Sequence, residues 1–257
     1  MDSATSRKLG CAKGKGGSMH MYNYNFYGGN GIVGAQVPLG AGIAFANQYK
    51  NNGSVAMALY GDGAANQGQL FESFNMAKLW NLPCIFVCEN NRYGMGTAVH
   101  RASASVDYYT RGDYVPGIRV DGMDILAVRE AVKFSKKYVL ENGPINLEFV
   151  TYRYHGHSMS DPGTSYRTRD EVKEVRQSLD PITTFRDKLL QVDMVSKDDI
   201  KAIDAQAKQH VEEETAKALA STEPDFKQLA NDIYITDKPL SFRSCNAFEK
   251  LPHEANI

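Results

Sequence analysis

No stretch of this chain is apolar for long enough to cross a bilayer as a helix, which takes about 20 consecutive apolar residues. Only four cysteines occur in 257 residues, which is no disulfide framework. Cys84 and Cys88 stand at i and i+4 of an apolar segment, so they share one face of a strand as packing thiols. Cys11 and Cys245 carry no partner motif, and all four are expected to be reduced. A formal net charge of −1 provides no polybasic face for nucleic acid. Internal repeats and linkers are absent. With 42% hydrophobic residues, the composition is that of a soluble metabolic enzyme with neither a nucleic-acid nor a membrane partner.

What is present is concentrated in two short motifs. Gly61-Asp62-Gly63-Ala64 places an acid inside a glycine turn. Two glycines let a backbone approach an anion and aim amide N–H groups at it, yet Asp62 would repel a phosphate unless a divalent cation lay between them. Mg2+ takes oxygen ligands in near-octahedral geometry and binds through one or two protein groups plus substrate phosphates. Asp62, the amide oxygen of Asn91 and a backbone carbonyl can complete such a shell.

The pattern around the motifs supports one site. Residues 54–60 and 84–88 read as buried strands, and 66–80 as an amphipathic helix with Leu70, Phe71, Phe74 and Ala77 on one face. A strand–helix–strand unit crosses over right-handedly, so the two strands are parallel and end at the same sheet edge. Asp62 and Asn91 each follow such an end, where open α/β sheets bind ligands and a helix N-terminus faces a diphosphate. Taken singly, a Gly-Asp-Gly is a surface turn and Asn90-Asn91 an ordinary loop. Residues 10–16 have neither the spacing nor the Ser/Thr of a P-loop, and Gly61-x-Gly63-x-x-Asn66 lacks the third glycine of a dinucleotide fingerprint.

Together with Glu-Asn-Asn-Arg-Tyr-Gly-Met-Gly-Thr (89–97) and Tyr-Arg-Tyr-His-Gly-His-Ser-Met-Ser-Asp-Pro-Gly (152–163), these motifs resemble the thiamine diphosphate-dependent 2-oxoacid dehydrogenases, specifically the pyruvate dehydrogenase alpha chains. The resemblance runs from Lys8 to beyond Tyr234. Branched-chain 2-oxoacid and acetoin relatives share the metal motif but are not expected to carry the second string in this form. The resemblance implies an α/β fold with a doubly wound parallel sheet of the thiamine diphosphate-binding type and a C-terminal helical extension. It implies oxidative decarboxylation of pyruvate with transfer of the acetyl unit to lipoyl groups, feeding acetyl-CoA formation. The implied partners are a beta subunit in a tetramer of two alpha and two beta chains, the lipoyl domains of the acetyltransferase component, and a regulatory kinase and phosphatase. A mitochondrial matrix location is likewise implied by resemblance.

Residue by residue, the resemblance makes Asp62 and Asn91 side-chain ligands of Mg2+ and Tyr93 a backbone-carbonyl ligand. Gly63 and Ala64 would touch the diphosphate, and Gly31 and Val33 the aminopyrimidine ring. His157 is assigned to catalysis beside the diphosphate and the lipoyl acceptor, with Arg153 supporting it. Ser158 and Ser165 match regulatory phosphorylation sites; a third site would fall at Ala98, which has no hydroxyl. A phosphoryl group adds roughly 1.5 to 2 negative charges, so one at Ser158 would repel the diphosphate. Read without the resemblance, His155-Gly156-His157 is a poor zinc pair lacking further ligands, and residues 152–168 read as a mobile active-site loop.

The segments 35–49, 145–151, 170–177 and 180–191 read as a small-residue helix, a strand and two short helices. Ser196 with Asp199 forms a capping box opening a helix to about Ser221, with Ile200, Ile203, Ala207, Val211, Ala218 and Leu219 as a packed stripe. The tail from Pro239 carries weak signals. Residues 1–168 are therefore expected to form the cofactor domain, and 169–257 its helical extension and tail. Relative to the resembled chains a leading segment is missing, and Met1–Lys8 lacks an Arg-rich presequence. A shortened chain that binds the beta subunit or the kinases without catalysing, or a branched-chain 2-oxoacid dehydrogenase alpha relative, is the alternative expectation.

Overall fold

The computed structural model describes residues 8–17, 19–225, 228, 231–232, 241–243, 246, 248 and 250–254. The chain divides into two compact units, Ile32–Ile200 and Met1–Gly31 with Lys201–Ile257. In the first, α1 (Gln36–Tyr49), β1 (Ala56–Gly61), α2 (Gly68–Leu79) and β2 (Cys84–Asn90) are followed by a small hairpin, β3 (Tyr93–Gly94) and β4 (Thr97–Ala98). Then come α3 (Val99–Ala102), β5 (Gly117–Asp121), α4 (Ile125–Asn142), β6 (Ile145–Val150), α5 (Arg169–Leu179) and α6 (Pro181–Gln191). The long α7 (Lys197–Ala220) crosses the division between the units.

The sheet has the order β1-β2-β6-β5 and every neighbouring pair is parallel. Parallel strands need both faces covered, and the strand β2 shows how the sequence supplies this. Cys84, Phe86 and Cys88 enter one apolar cluster with Val37, Ala41 and Ala44 of α1 and Leu70, Phe74 and Ala77 of α2. Ile85 and Val87, on the opposite face, join Val139 of α4 with Ile145 and Leu147 of β6. The expected doubly wound arrangement is thus present. Phe74 and Phe86 sit 4.6 Å apart, ring centre to ring centre; truncating a buried Phe of this kind to Ala costs about 3–5 kcal/mol.

Local choices fix the helices. Gly40 brings α1 down onto β1, where an added Cβ would lie 2.5 Å from that of Ala58. Asp124 caps α4, its Oδ1 accepting from the N–H groups of Leu126 and Ala127, and Gly143 at φ +80° ends that helix. At α7 the expected capping box forms: Ser196 Oγ accepts from Asp199 N, and Asp199 Oδ2 accepts from Ser196 N.

Three expectations are corrected. The first strand is not buried on both faces: Met57 and Leu59 are 39% and 45% exposed, because β1 is outermost in the sheet and α4 packs on β5, β2 and β6. Phe71 lies on the rim of α2 and is exposed, while Ser73 takes its place in the buried face with Leu70, Phe74 and Ala77. The α7 stripe is largely uncovered, with Ile203, Val211 and Leu219 exposed and Ala218 alone buried on that helix among the described residues.

In the other unit, Lys8 N and Leu9 N donate to Thr222 O and Ser221 Oγ, and Lys13 and Lys15 both reach the Asp232 carboxylate, at 2.7 and 2.9 Å. The weakly patterned tail contains an antiparallel pair, β7 (Ser241–Arg243) with β8 (Lys250–Glu254). Cys84 and Cys88 are buried free thiols; Cys245 lies outside the described residues.

Candidate functional site

The parallel register brings the two motifs to one sheet edge. Gly61 is paired with Glu89 and Asn90 with Val150, so Asp62 and Asn91 are adjacent just beyond the strand ends. Asp62 is only 2% exposed, and its Oδ1 accepts from Asn91 N at 3.3 Å. Burial raises its carboxyl pKa above the ordinary value, opposed by the Asp62 and Asn91 backbone N–H groups and the charge of Arg153. Among the described residues Asp62 forms no ion pair. A buried carboxylate without a paired cation is costly.

Asn91 and Tyr93 sit on a strained turn. Arg92 and Met95 adopt φ of +71° and +57°, a region that costs a non-glycine residue about 1–2 kcal/mol. Side chains hold the turn: Asn90 Oδ1 accepts from Arg92 N at 3.0 Å and Asn91 Oδ1 from Tyr93 N at 3.2 Å. Gly63 and Gly94 pass so closely that a Cβ on Gly63 would lie 3.1 Å from the Gly94 Cα. Any side chain at either position would push the two motifs apart. Gly63 opens a 3₁₀ turn over Ala64–Asn66, and Ala64 is buried.

One cation already tests the oxygen set. The Arg153 guanidinium donates through one nitrogen to Asn91 Oδ1 (3.4 Å) and Tyr93 O (3.1 Å), and through the other to Met95 O (2.7 Å) and Tyr166 Oη (2.9 Å). An amide oxygen and a main-chain carbonyl thus converge on positive charge beside a buried carboxylate. That all-oxygen donor set fits Mg2+.

The segment after β6 is tied down by groups that the sequence pattern did not single out. Asp161 accepts from His157 N, Gly163 N and Tyr166 Oη, contacts that depress its pKa to about 2, His157 N–H first. Arg167 is 6% exposed; it donates to the carbonyls of Arg153 and His155 and lies 5.2–5.9 Å from the ring centres of Tyr93, Tyr152 and Tyr166. Beneath the Asn90–Asn91 turn, the fully buried Glu148 accepts from Asn90 Nδ2 at 2.8 Å and Tyr109 N at 3.0 Å. The available signal was Asn146 and Glu148 at i and i+2 of an otherwise apolar strand.

Asp62, Gly63, Asn91, Tyr93 and Arg153 are therefore brought together. His157 is exposed, with its backbone N–H on Asp161. Ser158 and Ser165 are exposed, Ser158 Oγ lying 3.1 Å from Ser160 Oγ. Val33 is exposed and its carbonyl accepts from Gln69 Nε2 at 3.1 Å. Gly31, in the other unit, has open space where a side chain would stand.

Known proteins resemble this chain over nearly all of its length. Residues 1–227 match the family described as dehydrogenase E1 component. The chain is 59% identical over 247 residues to the pyruvate dehydrogenase E1 component subunit alpha, somatic form, mitochondrial, of Bos taurus and equally to that of Homo sapiens. Each match covers 96% of this chain but 63% of the relative. The mitochondrial alpha subunit of Sminthopsis macroura is 58% identical, over 96% of this chain and 68% of its own length. With a thiamine diphosphate-type sheet edge and a match over most of its length, the chain belongs to the dehydrogenase E1 component family, whose members depend on thiamine diphosphate.

Proposed function

We propose that this chain is the alpha-type subunit of a pyruvate dehydrogenase, working with a beta subunit in an assembly of two alpha and two beta chains in the mitochondrial matrix. The observation that carries the proposal is that Asn91 Oδ1 and Tyr93 O meet one cationic group, Arg153, beside the buried Asp62 that follows β1. Asp62, Asn91 and the Tyr93 carbonyl would hold Mg2+, and the N–H groups of Gly63 and Ala64 the diphosphate of thiamine diphosphate. Gly31 and Val33 would contact its aminopyrimidine ring. When bound, the cofactor supplies the carbanion that attacks a 2-oxoacid carbonyl and the electron sink for loss of carbon dioxide.

The protein's part is positioning and electrostatics. Asp62 would neutralise the cation in a site shielded from water, where charge interactions are stronger. Arg153 has two roles to reconcile, since Mg2+ would displace its contact with Asn91 and Tyr93 and free the guanidinium to face the diphosphate. His157, exposed on the loop held by Asp161, would meet the lipoyl acceptor. The same exposure leaves Ser158 and Ser165 open to the kinase and phosphatase.

The test is co-expression with a pyruvate dehydrogenase beta subunit, followed by cofactor titration and an assay of pyruvate decarboxylation. Assembly with thiamine diphosphate- and Mg2+-dependent decarboxylation is expected. Assembly without cofactor binding would instead assign the chain a non-catalytic role. In the active assembly, Ser158→Glu should remove most turnover and Ser158→Ala little, because on this reading the added charge would lie beside the diphosphate; equal effects would reject the electrostatic switch.

A further inference from the structure

A cavity of about 410 Å³ lies between the loop 154–164 and α5. Its lining includes Arg167, Arg169, Lys173 and Arg176, with His155 and Thr164, and contains no carboxylate. Four cations around so small a volume repel one another unless an anion joins them. The nearby acids are engaged elsewhere: Glu171 takes the Tyr152 hydroxyl at 2.8 Å, Asp180 that of Tyr154 at 3.2 Å, and Asp161 its three loop donors. Among the described residues none of the four cations forms an ion pair with a carboxylate. The N-terminus of α5 does not explain the cluster, since Thr168 Oγ1 already accepts from Glu171 N.

Arg167 gives the cavity a built side. It is nearly buried and held in place by its two carbonyl acceptors and three aromatic rings. A guanidinium fixed in this way is suited to oxyanions. We propose that this cavity is a binding site for a phosphate-class dianion, either inorganic phosphate or a small phosphate monoester, separate from the cofactor's diphosphate position. An anion there would bridge the loop segments 154–156 and 162–164 to α5, and so couple its own binding to the order of the loop.

The test is calorimetric titration of the full chain in Mg2+-free buffer at constant ionic strength, with inorganic phosphate, glycerol phosphate and acetate as separate probes. Saturable binding of phosphate and not of acetate is expected, and the glycerol phosphate arm shows whether the natural ligand is the free ion or a monoester. Lys173→Ala and Arg176→Ala, both at exposed positions where folding is not at stake, should each weaken phosphate binding about fivefold or more. Arg167→Lys should keep the charge and still weaken it, because a lysine cannot hold both loop carbonyls as the guanidinium fork does. Absence of saturable phosphate binding, or unchanged affinity in both alanine variants, would overturn the site.

Discussion

Asp62 combines a function with a cost. Burial raises its pKa, so in the metal-free protein the charged form is disfavoured, and this residue takes stability away as pH rises through its folded pKa. The metal needs that same charged form. Asp62→Asn keeps an acceptor for Asn91 N and removes the buried charge. It should therefore raise the metal-free melting temperature at pH 7 and weaken Mg2+ and thiamine diphosphate binding by at least about tenfold, or 1.4 kcal/mol. Calorimetry and thermal melts report the two effects separately; unchanged cofactor affinity would remove Asp62 from the site. Wild-type Mg2+ affinity should also fall as pH drops toward Asp62's pKa, beginning above the usual aspartate range. Glu148 acts one layer deeper. Glu148→Ala leaves Asn90 Nδ2 and Tyr109 N without partners in the core, at a cost of about 2–4 kcal/mol in urea unfolding. A loss below about 1 kcal/mol would mean that those donors find other acceptors.

At the scale of elements, the loop 152–168 has its own acid sensitivity. The Asp161 pKa is held at about 2, against an ordinary 3.8. A depressed carboxylate contributes stability that is present above the ordinary value and lost as pH falls through the folded one, so the loop should loosen between about pH 4 and 2. Pepsin, active throughout that window, should cut wild-type residues 154–166 slowly at pH 4 and rapidly at pH 2. Asp161→Asn should be cut rapidly at both; an identical pH profile in the two proteins would sink the idea. What the sequence disclosed follows the same division between local and distant causes. The strands β1, β2 and β6, the helices α1, α2, α5, α6 and α7, the α7 capping box and the Asp62–Asn91 pair were legible because each rests on residues close in the chain or on one crossover rule, whereas β5, α4 and the β3–β4 hairpin were not read. Nor were Asp161, Arg167 and Glu148. Their partners are fixed by how the loop and β6 fold over the β3 turn, and neither periodicity nor a motif records that. The exposure of Met57 and of α7's Ile203 was equally hidden, since an apolar pattern identifies a face without saying what covers it.

At the scale of the molecule, the first unit presents apolar surface that its own elements do not use. β1 pairs only with β2 among the described strands, and its sequence, Ala-Met-Ala-Leu-Tyr-Gly, has no charge and no proline. Uncharged free edges of this kind recruit other strands. On the same strand Met57 and Leu59 are exposed, and on the α1 side Phe45, Tyr49 and Trp80 form a further exposed aromatic group, with Phe45 6.4 Å from Tyr49 and 5.8 Å from Trp80 between ring centres. Apolar patches that persist on a folded unit mark association surfaces. Light scattering after size exclusion should therefore show the purified chain associating between about 1 and 100 µM, within the range where exposed edges aggregate. Met57→Lys with Leu59→Lys places charges on the outermost strand, as natural edge strands do, and neither side chain contributes to the core. The double variant should shift the chain toward monomer while leaving its circular dichroism and melting cooperativity intact. A wild-type chain that stays monomeric across that range and melts cooperatively would show that β1 and α1 need no partner, and an associating double variant would move the contact from β1 to the aromatic face of α1.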